Sequence, residues 1–318
     1  MTGAERGAGG SFWLDPMLLR KLEQISVASK GRTRGTMQGK RRSRALGGSQ
    51  EFADYRPYAP GDDIRRLDWN VYGRTGKAYI RQYWDEQEMA VRLYVDASES
   101  MRFRSIGAAE GDLPSSGTKW AYALRLAACV GYAALAGEDR VSVARFTDSV
   151  ESSLPPLRGK GSASRLFAYL EGEMSAKPAA AGSDDLSAAF LAPGVLPRTP
   201  GQVWLLTDGM YEFGIDRTLD AFAAAGQEVA FIQVLGKEEL SPALSGELTL
   251  IDAESGIAKE VAIGPSVLRT YEAALREHNE SIRRMCAERG FAYVLVDTSV
   301  PLEHTVAYVL LAQGLLKR

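Results

Sequence analysis

The sequence has few of the residues that build metal clusters and disulfide frameworks. Its 318 residues include two histidines and two cysteines, and Cys129 and Cys286 lie far apart along the chain. This spacing fits neither a zinc motif nor a disulfide-stabilised secreted domain. No amino-terminal apolar stretch is followed by a small-residue cleavage site, so a reducing, cytoplasmic location is expected.

Long apolar runs and an excess of one charge are absent as well. A membrane-spanning helix needs about 20 consecutive apolar residues, and the longest candidate, 305–316, is shorter. The 38 basic and 40 acidic side chains nearly cancel, which excludes a basic nucleic-acid coat. A chain of this length that is 45% hydrophobic and 25% charged is typical of a globular protein with one large domain and an appendage, or with two modest domains.

Residues 1–88 differ from the remainder and are predicted to form a separate amino-terminal part. Apolar residues at near-helical spacing predict one amphipathic helix over 12–29. A basic strap follows at 30–44, and the range 30–50 holds seven Lys or Arg and no acid. In the range 51–86, eight of 36 residues are aromatic and alternate with Asp and Arg. This density predicts irregular or short extended structure that packs as a clamp on a larger body.

From residue 89 to 318, short β-branched runs alternate with longer helical patterns. Strands are predicted at 90–95, 140–146, 202–207, 228–235 and 291–296, with an antiparallel edge strand near Glu151 and a hairpin at 248–263. Helices are predicted at 119–136, 163–174, 185–191, 215–225, 265–289 and 300–316. The alternation predicts an α/β domain with a doubly wound, mostly parallel sheet in the order 3-2-1-4-5-6.

Two predicted strands end at an aspartate, Asp96 in VRLYVDASES and Asp208 in VWLLTDGMYEF. In the expected order the first and fourth strands are neighbours, so both carboxylates should lie on the floor of one crevice. Ser98 and Ser100 follow Asp96 in alternation, and their hydroxyls converge if the loop curls over the strand end. An all-oxygen site suits a hard cation, so Mg²⁺ is expected, with Mn²⁺ or Ca²⁺ as substitutes.

These motifs resemble those of a known family. DASES, with Asp208 in LLTDG, is similar to the metal-ion-dependent adhesion site of von Willebrand factor A domains. The longer segment EFADYRPYAPGDDIRRLDWNVYGRTGKAYIRQY, ahead of DASESM, resembles the domain of unknown function 58 (DUF58) family, whose members carry such a domain. The resemblance extends from about residue 31 to the carboxyl terminus.

The resemblance implies a set of metal ligands from three loops. Carried over by position, they are Asp96, Ser98, Ser100, Ser183 and Asp208. In such domains the second loop supplies a threonine, usually just before an aspartate and a leucine, and GSDDL offers Ser183 with Asp184 there. Serine keeps the hydroxyl but lacks the methyl group that restricts the rotamer, so a looser site is expected.

The resemblance also implies a binding function. DUF58 proteins are typically encoded beside MoxR-type AAA+ ATPases, so such an ATPase and a client protein bearing an acidic residue are the expected partners. The expected role is that of an adaptor or co-chaperone in the maturation of a protein or complex. The sequence offers no credible catalytic base, nucleophile or oxyanion hole, so we expect that the protein is not an enzyme.

Two other functions are open at this point. A divalent-metal-dependent phosphate-ester hydrolase could use the same crevice. The basic strap at 30–44 could bind nucleic acid or phospholipid, although the near-neutral total charge makes nucleic acid the minority interpretation. Each motif also has a structural interpretation, since an aspartate at a strand end often caps a turn or helix.

Overall fold

The computed structural model describes residues 14–29, 52–83, 88–103, 117–176, 184–252 and 256–318. Its helices are α1 (Pro16–Leu22), α2 (Trp69–Thr75), α3 (Lys119–Ala136), α4 (Ala163–Met174), α5 (Leu186–Phe190), α6 (Ile215–Ala224), α7 (Lys237–Leu240), α8 (Pro265–Glu288) and α9 (Leu302–His304). Its strands are β1 (Ser26–Val27), β2 (Phe52–Pro57), β3 (Tyr79–Tyr83), β4 (Ala90–Asp96), β5 (Arg140–Phe146), β6 (Val150–Arg158), β7 (Gly201–Thr207), β8 (Gln227–Leu235), β9 (Gly246–Ile251), β10 (Ala258–Ile263), β11 (Ala292–Asp297) and β12 (Leu316–Lys317). The basic strap predicted at 30–44 lies outside the described residues.

The chain divides into two compact units. Residues up to 28 group with 89–318, and residues 29–88 form the second unit. The sequence predicted a single boundary between residues 88 and 89, and the structure corrects this by adding a boundary after residue 28. The physical reason is that Leu18 and Leu22 are buried in the core of the larger unit, and β1 pairs with β12.

A six-stranded sheet forms the centre of the larger unit, in the order β11-β8-β7-β4-β5-β6. Neighbouring strands run parallel except β6, which pairs antiparallel with β5. The strands β4, β7 and β8 are almost entirely buried, as expected for parallel strands covered by helices on both faces. The predicted mixed α/β architecture with a mostly parallel sheet is confirmed, as is the antiparallel edge strand.

Helices cover both faces of this sheet. On one face α3 is buried almost all round, and Gly131 lets it approach α4, because a Cβ there would lie 2.8 Å from the Leu166 side chain. On the other face an aromatic cluster joins Tyr94 of β4 to Phe190 and Phe222 of α5 and α6. Alternate residues of β4 therefore serve two separate apolar layers.

The two ends of the larger unit differ from the prediction. Among the described residues, the helix predicted over 12–29 is limited to Pro16–Leu22, and Ser26–Val27 form a strand. The helix predicted over 300–316 is helical over 302–312, with a π-helical segment at Thr305–Leu310, and Leu316 lies in β12. The short strands β1 and β12 exist because they pair with each other, a contact between distant residues that local periodicity does not reveal.

The smaller unit contains the β2–β3 hairpin and the unpredicted helix α2. Asp68 begins this helix by accepting hydrogen bonds from the Asn70 and Val71 N–H groups. Its other oxygen accepts a hydrogen bond from the Tyr55 hydroxyl at 2.7 Å, which ties the helix to β2. The extended structure expected in this aromatic segment is confirmed in β2 and β3.

Further features of the structure concern a hairpin, the two cysteines and the lengths of the helices. The hairpin predicted at 248–263 is present as β9 and β10. Cys129 and Cys286 are both free and buried. Within the described ranges, no helix combines the length and apolar character needed to cross a membrane.

Candidate metal site

The candidate site lies where β4 and β7 end side by side in the centre of the sheet. Val95 pairs with Leu206, so Asp96 lies beside Thr207 as the last residue of each strand. Asp208 follows Thr207, and its charge lies near enough to raise the pKa of the Asp96 carboxyl. Both aspartates are buried, with 0% and 2% of their surface exposed. The strand register thus brings two carboxylates to one recess.

Three neutral donors hold the Asp96 carboxylate. The Ser98 N–H donates to Oδ1 over 2.9 Å. The hydroxyls of Thr207 and Tyr211 both donate to Oδ2, over 2.5 Å and 2.7 Å. Because Tyr211 belongs to the loop after β7, this carboxylate connects the two loops and is fixed in orientation, as a metal ligand must be.

The Asp96 carboxylate has no positive partner in the described part of the chain. Burial and, after it, the negative charge of Asp208 raise the pKa of Asp96 to about 6, although hydrogen bonds from Thr207, Ser98 and Tyr211 oppose this rise. Burial and the charge of Asp96 raise the pKa of Tyr211 well above its usual value, so this phenol is a neutral donor. A bound cation would favour the ionised form of Asp96.

The two serine hydroxyls of the first loop converge. Ser98 Oγ and Ser100 Oγ lie 3.1 Å apart, because the chain turns into a short 3-10 helix at Glu99–Arg102. Two adjacent ligand oxygens of an octahedral Mg²⁺, each about 2.1 Å from the ion, are separated by about 3.0 Å. Ser98 is buried and Ser100 is partly exposed. The spacing of the hydroxyls therefore fits one shared cation near the surface of the recess.

A buried lysine contacts the second carboxylate. Lys119 Nζ donates to Asp208 Oδ2 over 2.8 Å and to Glu239 Oε1 over 2.7 Å, and its side chain is 1% exposed. Burial lowers the pKa of Lys119, but the negative charges of Asp208 and Glu239 together outweigh burial, and the pKa lies above its usual value. Lys119 is therefore a permanent internal cation at this site.

The local structure explains why these three charged groups meet. Lys119 is the first residue of α3, whose start is fixed when Thr118 Oγ1 accepts the Ala121 N–H. Glu239 lies in the short helix α7 after β8, and its Oε2 accepts the Gly236 N–H over 2.6 Å. The remaining oxygen of Asp208, Oδ1, accepts the N–H of Met210 over 3.1 Å.

Polar side chains from β8, β11 and α8 support the loop after β7. Gln233 Nε2 donates to the Asp208 carbonyl over 2.8 Å and to Asn279 Oδ1 over 3.0 Å. The Tyr293 hydroxyl donates to Gln233 Oε1 over 2.5 Å. His278 Nε2 hydrogen bonds to the Gly209 carbonyl over 2.8 Å. The position of the loop is thus determined by elements far away in sequence.

The predicted second loop is described only in part. Ser183 lies outside the described residues, so its role as a ligand stays a prediction. Asp184 is exposed, and Asp185 caps α5. Phe213, in the loop after β7, donates its N–H to the Asp184 carbonyl over 3.0 Å and accepts the Leu186 N–H over 3.1 Å. The second and third loops are therefore joined through their backbones.

The described donor set fits a hard divalent cation. The structure brings Asp96, Ser98, Ser100 and Asp208 together, and every one of these side chains offers oxygen. The described residues contain no group of three or more His, Cys, Asp or Glu side chains placed to hold a metal. An ion at this site would therefore depend on the hydroxyls as much as on the two carboxylates.

Sequence patterns did not reveal Lys119, Tyr211 or Glu239 as parts of the site. Lysine at the start of a helix is usually solvated, and only the fold gives Lys119 its partners 89 and 120 positions away. The sequence could have placed Thr207 and Tyr211 at the site, because both lie in the motif LLTDGMYEF that contains Asp208.

A protein-family model described as protein of unknown function DUF58 matches residues 54–281. The chain belongs to the DUF58 family. The match begins in β2 and ends within α8, so it includes residues of both units of the DUF58 chain. The membership of the DUF58 family that the sequence predicted is confirmed.

Relatives of the DUF58 chain occur in mycobacteria. Uncharacterized proteins of Mycobacterium bovis and of Mycobacterium tuberculosis strain H37Rv are each 27% identical to it over 270 residues. Each alignment covers 85% of this chain and 81% of the relative.

Two solved structures show a weak likeness to the DUF58 chain. The conserved hypothetical protein BatB from Bacteroides thetaiotaomicron has a TM-score of 0.42 at 18% identity, covering 71% of this chain and 98% of that one. An aerotolerance-related membrane protein from Bacteroides fragilis has a TM-score of 0.38 at 15% identity, with the same two coverages.

Proposed function

We propose that this DUF58 protein is a non-catalytic protein-binding module whose site holds Mg²⁺ in the manner of a von Willebrand factor A domain. The observation that carries the proposal is the convergence of the Ser98 and Ser100 hydroxyls beside the buried Asp96 carboxylate, which lacks a cationic partner in the described chain. When bound, Mg²⁺ supplies a coordination position for a carboxylate oxygen of another protein.

Apolar side chains next to the site support a protein as the bound partner. Phe103, Met210 and Phe213 are 39%, 40% and 58% exposed, and all three lie on the loops that carry the site. The backbone of Phe213 is fixed by its two hydrogen bonds to the second loop, which determines where on the surface this residue lies. A polar anchor beside exposed aromatic and Met side chains is typical of protein interfaces.

The family resemblance, and no contact in the structure, is the reason for the partners that we propose. A MoxR-type AAA+ ATPase and a client with an acidic residue are the proposed partners, and the proposed role is that of an adaptor or co-chaperone. The two other functions considered from the sequence, a phosphate-ester hydrolase and a strap that binds nucleic acid or phospholipid, stay predictions.

The test is affinity purification of partners with Mg²⁺ and again with EDTA, with the wild-type chain and Asp96→Ala. Asp220→Ala is the matched control, because Asp220 is an exposed aspartate whose ion pair with Arg289 lies near the start of β11, whereas the site lies where β4 and β7 end. We expect partners to be retained only with Mg²⁺, by wild type and by the control. Partners that bind equally well in EDTA and to a folded Asp96→Ala would contradict the proposal.

A further inference from the structure

The two carboxylates of the site differ in what they contact. Asp96 accepts hydrogen bonds from neutral donors only, whereas Asp208 contacts the Lys119 ammonium. Both oxygens of Asp208 are engaged, Oδ2 by Lys119 and Oδ1 by the Met210 N–H. A metal ion that takes Asp208 as a ligand must therefore share this carboxylate with a cation that the chain itself provides.

We propose that Lys119 competes with the divalent ion for Asp208, and that Glu239 limits this competition by offering the ammonium a second carboxylate. The inference rests on the proposed metal site and assigns a control on its affinity. Lys119 contacts Glu239 at 2.7 Å and Asp208 at 2.8 Å, so neither acid holds the lysine alone.

The charge balance of the cluster supports this assignment. Asp96, Asp208 and Glu239 contribute three negative charges when ionised and Lys119 contributes one positive charge, which leaves two negative charges for one divalent ion. Without the lysine the same ion would face three negative charges, and without Glu239 it would face one. The two substitutions should therefore change metal affinity in opposite directions.

A lysine with a structural role alone predicts a different pattern. With a structural role alone, removing the ammonium or one of its carboxylates leaves a buried charge without its partner and weakens the fold, with metal affinity unchanged or reduced in both variants. Competition predicts instead that Lys119→Met binds metal more tightly than wild type. It also predicts that Glu239→Gln, which acts through the lysine, has a much smaller effect when Lys119 is already Met.

The experiment is titration of the metal-free full chain with Mn²⁺ alone, at one pH, for wild type, Lys119→Met, Glu239→Gln and the double variant. We expect an affinity gain of roughly tenfold or more for Lys119→Met, since removing one charge a few ångström from a divalent ion has about that effect even at the dielectric constant of water. A loss of affinity is expected for Glu239→Gln. Lys160→Met and Glu23→Gln are matched controls, because this exposed pair at 2.7 Å is a second lysine–glutamate contact, and no change is expected.

The outcomes separate this inference from the proposed function. Wild-type binding with unchanged or weaker binding by Lys119→Met overturns the competition and leaves the metal site standing. Additive effects in the double variant overturn the role of Glu239. Absence of Mn²⁺ binding in all four proteins overturns the metal site and the competition together. If Lys119→Met does not fold, the Glu239→Gln variant tests the competition instead. Glu239 is partly exposed, so we expect this variant to fold. An Mn²⁺ affinity equal to that of wild type in this variant refutes the competition.

Discussion

The burial of Asp96 predicts how the stability of the metal-free protein depends on pH. The pKa of this carboxyl is about 6 in the folded chain and 3.8 for the free side chain. Because the folded value is the higher one, ionisation of Asp96 opposes folding: the cost is absent below the unfolded pKa and complete above the folded one. About two pKa units correspond to roughly 3 kcal/mol of unfolding free energy.

The assay is chemical denaturation of wild type and Asp96→Asn in EDTA, at several pH values from about 4 to about 7. The asparagine loses hydrogen bonds at every pH, so the informative quantity is how the difference between the two proteins changes. We expect this difference to move in favour of Asp96→Asn by roughly 2–3 kcal/mol as the pH rises over this range. Saturating Mg²⁺ should cancel the change in wild type.

Asp220→Asn is the control of opposite sign. A hydrogen bond from Arg289 lowers the pKa of the exposed Asp220, so its stabilising contribution is present at neutral pH and is lost as the pH falls. A difference between Asp96→Asn and wild type that does not change with pH would show that the buried carboxylate carries no ionisation cost, against this prediction.

Two further predictions follow from backbone conformation and from burial. Gly214→Ala should destabilise the protein by roughly 1–3 kcal/mol in thermal unfolding, because Gly214 has φ +82° and a Cβ would collide with the Asp185 carboxylate. Gly172→Ala in α4, where a Cβ would meet no other atom, is its control and should be neutral or slightly stabilising. Burial raises the pKa of Cys286 to about 12 and raises that of Cys129 as well, so neither thiol should react with a thiol reagent until the chain is unfolded. Rapid labelling of the native protein would contradict this expectation.

Most of the central α/β architecture could be predicted because its signals are local. The helix at 119–136 starts at a Thr cap and stops before Gly137, so the ends and the length that the sequence predicts match those of α3. The strands at the centre of the sheet are mostly apolar runs. Asp96 ends one of them and Asp208 directly follows another, and these are the aspartates that the sequence assigns to one crevice.

The errors arose where structure depends on distant contacts. Val27 and Leu316 continue helical patterns in the sequence but form paired strands, because each supplies the partner of the other. Helix α2 has its cap at Asp68 and a left-handed Gly76 at its end, yet its dense aromatic residues favoured an extended interpretation. The charge of Lys119 was visible in the sequence, but its burial between two acids follows only from the sheet order.

The most direct test of the proposed metal site is the location of Mn²⁺ by anomalous diffraction from crystals of the full chain. We expect one strong peak at the carboxyl end of β4, about 2.1 Å from the hydroxyl oxygens of both Ser98 and Ser100. An absent peak at saturating Mn²⁺, or a peak that contacts neither serine, would contradict the proposed site.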